Sequence, residues 1–474
     1  MFNRRELLRG AVVGVLGMAT TALLQPQQAR AQAPGPVALN RPNIVLIMAD
    51  DMGWRDTSYQ GSPVIKTPSL DAMVANGIRF DYFYPAQQMC SPGRFALLTG
   101  RNPYRTGLHA LGAMRPEEIT VAQTLKTAGY STAHFGKWHL GAKETHPIRM
   151  GFDLSYFSIN YFDVGGSLAV NDTAEKVEIK GDSSVFTMGL AIDWIKKKAP
   201  EKKPFFAYVC FGSPHSPYKG TPELAAKFKD APGKADYWAE VAGVDEAVGN
   251  LRQSLRDLNL ADNTLIFFCS DNGGVEQLSR DPAGGGKMQI GVRTVACAEW
   301  PAGVPKPIRT DIVATHADFY PTVLDITGIK PPPGQPVVDG ASLLPMLQGK
   351  MNRREKPLGF MLGLGDGGIA QTDFTKETHG VWIDGVYKLK ITPPGMKVGK
   401  KKQRDVAAQK KADGAEVVEL YDIYADPTEK KNLAAELPQQ VEKMRTGLNA
   451  WRQSVRDSYD YKDFPNRAKP ATGA

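Results

Sequence analysis

The chain runs to 474 residues, 42% of them hydrophobic and 23% charged, with a formal net charge of +8. This composition supports one large domain with a smaller companion and excludes a disordered or fibrous chain. The positive surplus is modest and partly N-terminal, which suits anionic small substrates and gives no reason to expect nucleic acid. Only four cysteines occur, Cys90, Cys210, Cys269 and Cys297, and no spacing among them fits a zinc site.

At the N-terminus, Asn3-Arg4-Arg5-Glu6-Leu7-Leu8-Arg9 precedes an apolar stretch from Ala11 to Leu24, and Ala29-Arg30-Ala31 offers a small-residue cleavage site. Residues 1–31 therefore read as a twin-arginine signal peptide, removed after the export machinery has carried the folded protein into a bacterial periplasm. The apolar run is short and glycine-rich, and no other segment is long and apolar enough to span a bilayer, so no stable membrane anchor is expected after cleavage.

Strand and helix signals then alternate. Ile44-Val45-Leu46-Ile47-Met48 predicts a buried parallel strand, followed by a helix capped by Thr67, with Pro68 at its first position and Gly77 as its stop. Thr120 to Ala128 predicts the next helix, Tyr130 to Phe135 and Phe205 to Phe211 two more strands, and Asp236 to Leu258 a long helix leading into a strand over Thr264 to Ser270. Such alternation predicts an α/β sheet with helices on both faces, a catalytic domain over 41–340. Beyond it, residues 341–474 predict a smaller α+β domain. Gly380 to Ile391 and Val417 to Tyr424 read as antiparallel strands, and Pro438 to Tyr459 as a terminal helix. The lysine-rich stretch Lys397 to Lys411 reads as a solvated loop, with contact to a polyanionic substrate as its functional alternative.

Polar residues gather after the predicted strands, where ligands bind in open α/β sheets. Asp50 and Asp51 follow the first, Lys137 and His139 the one over Tyr130 to Phe135, His215 the one over Phe205 to Phe211, and Asp271 and Asn272 the one ending at Ser270. Three carboxylates and one amide oxygen make a hard donor set that suits Ca²⁺ or Mg²⁺ better than zinc. Between them in sequence lies Cys90-Ser91-Pro92-Gly93-Arg94, opening a helix through Phe95 to Thr99 with Pro92 in its first turn and Cys90 at its positive end. Taken singly, each aspartate could be a turn or cap residue and the cysteine a buried one.

Taken together, these segments resemble the formylglycine-dependent sulfatases of the alkaline phosphatase superfamily. The resemblance rests on Pro42 to Gly53, the Cys90 string, Gly136-Lys137-Trp138-His139-Leu140-Gly141, Ser213-Pro214-His215-Ser216-Pro217 and Ser270-Asp271-Asn272-Gly273. Near the end, Glu419-Leu420-Tyr421-Asp422, Asp426-Pro427 and Asn432-Leu433 add to it. It implies an alkaline phosphatase-like fold: a large mixed, mostly parallel sheet between helices. It also implies a formylglycine made from Cys90 by a formylglycine-generating enzyme, and one Ca²⁺ held by Asp50, Asp51, Asp271 and Asn272. Arg94 would hold the hydrated aldehyde, Lys137 and Lys287 the sulfate oxygens, His215 would protonate the departing alcohol and His139 would act as base.

Two departures from the family pattern stand out. Gly93 replaces the usual Ser or Ala, which is expected to loosen the helix start, and Lys287-Met288-Gln289-Ile290-Gly291-Val292-Arg293 is shorter than the family's segment, with Gln289 where Glu is common. The expected substrate is a sulfated small molecule or saccharide. A phosphonate monoester or phosphodiester hydrolase of the same superfamily and an inactive carbohydrate-binding homologue are the alternatives. His316 reads as structural and His109 as a structural or pocket-edge residue, while Tyr161 and Phe162 could line a sugar or aryl subsite.

Overall fold

A computed structural model describes residues 41–163, 165–283, 290–361, 379–394 and 415–464. Residues 1–31, expected to be a signal peptide, Lys287 and the lysine-rich stretch Lys397 to Lys411 lie outside the described residues.

The first strand, β1 (Asn43–Ala49), is buried along its whole length and forms the centre of a ten-stranded sheet. In chain order the other strands of that sheet are β2 (Ile78–Phe80), β4 (Ser131–Lys137), β5 (Leu154–Ser158), β6 (Ser167–Val170), β7 (Lys176–Glu178), β8 (Phe205–Cys210), β9 (Thr264–Ser270), β10 (Ala296–Glu299) and β11 (Ile308–Thr310). A short β3 (Phe83–Tyr84) pairs separately with β12 (Ala314–Thr315). Across the large sheet the order is β11-β2-β10-β9-β1-β8-β4-β5-β6-β7. The five central strands, β9 to β5 in that order, are parallel, whereas β6, β7 and β10 run antiparallel to their neighbours.

Side chains of β1 alternate between two cores, as the pleat requires. Ile44, Leu46 and Met48 pack on one face with Phe95, Leu97 and Leu98 of the Cys90–Thr99 helix, with Val121 and Leu125 of the Val121–Thr127 helix, and with Phe319 and Val323. Val45, Ile47 and Ala49 pack on the other with Met188 and Trp194 of the Ser183–Lys198 helix and Val241, Val248 and Leu251 of the Ala235–Asp257 helix. Each fully buried aliphatic side chain here contributes roughly 1.5–3 kcal/mol. The sheet is therefore stiff where the polar residues emerge from it.

A second, four-stranded antiparallel sheet follows, ordered β13 (Leu358–Met361), β14 (Gly380–Asp384), β15 (Tyr387–Thr392) and β16 (Val417–Asp422). Alternation again divides its side chains. Val381 and Ile383 face Tyr82, Tyr84 and Val313, while Trp382, Leu389 and Leu420 face Met444 and Leu448 of the terminal Pro438–Tyr459 helix.

The helix after Thr67 forms, at Pro68–Ala75, but Thr67 does not cap it with its side chain. Its hydroxyl is turned to Ser58 and Asp71, and the Asp245 carboxylate from the Ala235–Asp257 helix accepts from Ser69 N and Leu70 N at 3.1 and 2.9 Å instead. By contrast Thr120 caps as expected, in a reciprocal pair with Gln123.

Candidate active site

Asp50 and Asp51 leave the carboxyl end of β1 on a turn in which Asp51 takes a left-handed backbone (φ 63°), a conformation aspartate adopts more readily than most residues. The turn is tied down from both sides. Asp50 N donates to Ser213 O at 2.9 Å after β8, Met52 N to Ser270 Oγ at 2.9 Å, and Asp271 N to Ala49 O at 3.1 Å.

Facing this turn is the Cys90–Thr99 helix, every residue of which is buried. Cys90 is its first residue, and the preceding Met89 gives no side-chain cap, which leaves first-turn N–H groups for whatever sits there. Cys90 Sγ donates to Asp50 Oδ1 at 3.2 Å. Gly93 is not a loosened helix start, as its lack of a side chain alone would suggest. A Cβ there would lie 2.4 Å from the Asp271 carbonyl oxygen, so the glycine lets the helix press against the end of β9.

Arg94, one turn on, is wholly buried and spends its fork on two partners. Nη1 donates to Lys137 O at 3.0 Å, and Nη2 to Asp271 Oδ2 at 2.9 Å while lying 3.8 Å from Asp50 Oδ1. Lys137, the last residue of β4, points its ammonium at Asp50 Oδ2 in a buried ion pair. Asn272 donates through Nδ2 to Asp51 Oδ1, and its Oδ1 is buried with no hydrogen-bond partner among the described residues.

These contacts set the charges. Burial raises the Asp50 carboxyl, but Lys137, Arg94 and His215 outweigh it and hold Asp50 well below the usual carboxylate range. Asp271 is pushed up by burial and by the charge on Asp50. Burial also works against the Lys137 ammonium, yet Asp50 more than compensates and keeps it protonated. The Cys90 thiol is pushed well above its ordinary value by burial and by Asp271 and Asp50, so it is held as a neutral thiol.

The two histidines differ. His139 has φ 55° and a buried Nδ1 with no hydrogen-bond partner among the described residues; burial, then Lys137 and Arg94, lowers its pKa to about 3. His215 is half-buried, 3.7 Å from Asp51 Oδ2 through Nε2, while Nδ1 lies 2.6 Å from Ser216 O. Tyr161 stands against it, ring centroids 5.3 Å apart.

Of the residues expected from sequence, Asp50, Asp51, Cys90, Arg94, Lys137, His139, His215, Asp271 and Asn272 thus converge at the carboxyl ends of β1, β4, β8 and β9. One ligand atom from each of Asp50, Asp51, Cys90 and His215 falls within 4.8 Å of the others, and the orphaned Asn272 Oδ1 adds a further hard donor. The arrangement fits an oxygen-seeking divalent cation. Asp271, in contrast, uses its oxygens on Arg94 and on Asp51 N at 3.2 Å.

His316 is structural, bridging Ser270 O at 2.8 Å and Ala86 N at 3.3 Å behind the Cys90 helix. His109 stacks on Tyr104 at 6.0 Å. Two acidic groups near the His215 loop, Asp163 and Glu240, had carried no sequence signal, since neither belongs to a motif and both owe their surroundings to tertiary packing.

Comparison with known proteins agrees with this geometry. The family model described as Sulfatase matches residues 42–329. N-acetylgalactosamine-6-sulfatase from Sus scrofa is 35% identical over 66% of this chain and 67% of its own length, and arylsulfatase A from Homo sapiens is 30% identical over 85% of each chain. Among solved structures, Ps i-CgsB in complex with k-i-k-neocarrahexaose superposes with a TM-score of 0.74 at 24% identity, covering 90% of this chain and 98% of its own.

Proposed function

The chain belongs to the sulfatase family and is a sulfuric ester hydrolase; on that premise we propose that its substrate is a sulfated saccharide or aryl sulfate, cleaved with Ca²⁺ and with a formylglycine made from Cys90. The observation that carries this reading is the placement of Cys90, at the open end of a buried helix, 3.2 Å from Asp50 and beside the Lys137 and Arg94 cations. As a neutral thiol, Cys90 is a poor nucleophile for sulfur, which supports its conversion to an aldehyde. Saccharide sulfates are favoured because relatives named for N-acetylgalactosamine 6-sulfate match this chain over two-thirds of their own length.

Asp50, Asp51 and Asn272 would hold the cation, joined by Asp271 through the lone pairs its bonds to Arg94 and Asp51 N leave over. The cation together with the hydrated aldehyde would supply an oriented sulfate, one hydroxyl to take the sulfuryl group and another to release it. Arg94 cannot swing, being held by Lys137 O and Asp271, and its Nε is buried without a partner among the described residues, free to hold a hydroxyl at position 90. The Lys137 ammonium offsets charge on the sulfate oxygens in a site sheltered from water. Lys287 would share that task. In its imidazolium form His215 would donate Nδ1–H to Ser216 O and have Nε2–H facing the site to protonate the departing alcohol oxygen, becoming the neutral imidazole. His139, unprotonated down to about pH 3, takes a proton from the group at position 90. Export by the twin-arginine route to a bacterial periplasm, after a formylglycine-generating enzyme has acted, completes the proposal.

Mass spectrometry of position 90 in protein from its native host tests the proposal, alongside turnover of nitrophenyl sulfate and nitrophenyl phosphate before and after calcium chelation. An aldehyde at 90 and calcium-dependent preference for the sulfate are expected. An intact Cys90 in active protein overturns the aldehyde, and preference for the phosphate ester moves the activity to phosphonate or phosphodiester hydrolysis.

A further inference from the structure

His215 rides on the loop 211–220 after β8, and that loop rests on carboxyl groups. Asp163, 8% exposed, lies directly beneath Gly212: a Cβ built on the glycine would sit 2.7 Å from Asp163 Oδ2. Neither Asp163 oxygen, nor the buried Oγ of the adjacent Ser213, makes a well-aligned hydrogen bond among the described residues, yet the Ser213 hydroxyl lies near enough to the Asp163 carboxyl to favour its charged form. At the far end of the loop, Glu240, 1% exposed, accepts from Lys219 N through Oε1 and leaves Oε2 unpartnered, while Asp236 accepts from Gly220 N at 3.1 Å. On the outer side the Tyr161 hydroxyl donates to Pro217 O, with its ring against His215.

Neither Asp163 nor Glu240 forms an ion pair among the described residues. A buried carboxylate without a cation is costly, and the common resolution is to keep the proton. Then the orphaned atoms complement one another, because a protonated Asp163 has an O–H to offer Ser213 Oγ and still accepts through its other oxygen.

We propose that Asp163 and Glu240 are positioning residues for His215, two neutral carboxylic acids that hold its loop from below and from its far end. The proposal rests on the role of His215 in sulfate-ester cleavage given above. The surrounding charges agree with the neutral form. Asp163 faces Asp182 and Asp50, with Lys137 as the opposing cation, and Glu240 faces Asp163, Asp182 and Asp236. Burial, reinforced by these acids, outweighs the Ser213 hydroxyl and Lys137 to raise Asp163 to about 8, and outweighs the Lys219 N–H to raise Glu240 to about 9. Ionisation of Asp163 above that range sets a negative charge under Gly212 and loosens the seat of His215, so activity should carry an alkaline limb that belongs to a residue outside the reacting atoms.

The test compares D163A, D163N and E240Q with the wild-type full chain from its native host, on nitrophenyl sulfate and on phenyl sulfate, whose poorer leaving group depends more on a proton donor. Expected for D163A is a fall in kcat of about tenfold or more on phenyl sulfate, with a much smaller fall on nitrophenyl sulfate and an unchanged KM. D163N, which keeps a neutral hydrogen-bonding group of the same shape, should retain wild-type kcat at pH 7 and lose the alkaline limb. Equal losses on both esters, or an Asn variant as impaired as the Ala variant, overturn the proposal. If D163A does not fold, D163N and E240Q decide it through the alkaline limb and through the infrared carbonyl stretch of protonated acids, which each should diminish at pH 7. Absence of that band from the wild type overturns the proposal whatever the activity. A wild type inactive on both esters, with the band present, counts against the sulfate-ester reading and not against the neutral acids.

Discussion

Arg94 and Asp271 meet at 2.9 Å in a pocket from which both are wholly excluded from solvent, and the same guanidinium reaches the backbone carbonyl of Lys137 at 3.0 Å. One side chain thereby joins the Cys90 helix, the end of β4 and the end of β9. Replacing Arg94 with Ala strands a buried carboxylate and should cost about 3–5 kcal/mol of stability. Arg94→Lys restores charge but cannot serve both partners in one plane, so chemical denaturation should place it between wild type and Ala, with turnover lost in both.

Gly93→Ala should be harmful here. Its Cβ would lie 2.4 Å from the backbone carbonyl oxygen of Asp271, and backbone cannot rotate away as a side chain would. The expected loss is about 1–3 kcal/mol from overpacking, minus the small gain in helix propensity, together with a fall in kcat as the helix start is pushed off the aspartates. A Gly93→Ala protein with wild-type melting temperature and kcat would show that the helix has room to shift.

Acid should weaken the fold through its buried histidines. His134 is packed among Trp138, Phe152 and Tyr208, with Nδ1 2.9 Å from Ser155 Oγ, and burial lowers its pKa to about 3. An unfolded histidine takes a proton near pH 6.5. Between these values the unfolded chain binds more protons, so stability is complete above about pH 6.5 and declines as pH drops towards 3. Each such histidine contributes a slope of up to about 1.4 kcal/mol per pH unit. His134→Phe should flatten the curve by that amount in urea titrations run from pH 7 to pH 4, and an unchanged slope would refute it.

Asp245→Ala removes the acceptor for Ser69 N and Leu70 N, donated from another helix. Loss of a cap of this kind costs about 0.5–2 kcal/mol. Since the Pro68–Ala75 helix contributes nothing to the catalytic pocket, kcat and KM should remain unchanged while the denaturation midpoint falls.

Legibility in the sequence followed the length of the buried run. Strand β9 and the Pro438–Tyr459 helix appear with the predicted bounds, and β1 within one residue at each end, because a fully buried run or a long amphipathic period dominates its local signal. Strands β2, β6, β7, β10, β11 and β13 were missed, being three or four residues long, so that no period can establish itself however deeply the strand is buried. In the site, Asp50, Lys137 and Asp271 were legible because motif and strand end coincide, and Cys90 because motif and helix start coincide. Asp163 was not, for its significance comes from Gly212, which is distant in sequence and adjacent only once β5 and β8 flank β4. Thr67 shows the converse: a good capping residue at the right place whose hydroxyl tertiary partners had already claimed.

The burial of Cys90 sets a clock. With 2% of its surface exposed in a helix that has no solvent face, the thiol is out of reach of any modifying catalyst once β8 and β9 have closed over β1. Those strands lie far downstream, β9 ending roughly 180 residues after Cys90, which at about 5–20 residues per second is an interval of about 10–35 s during synthesis. On the proposed conversion of Cys90, oxidation has to win that race, and the fraction of active molecules is then decided by how fast the nascent chain is served compared with how fast it folds. Slowing translation between codons 90 and 270 should raise the active fraction without altering the protein's sequence.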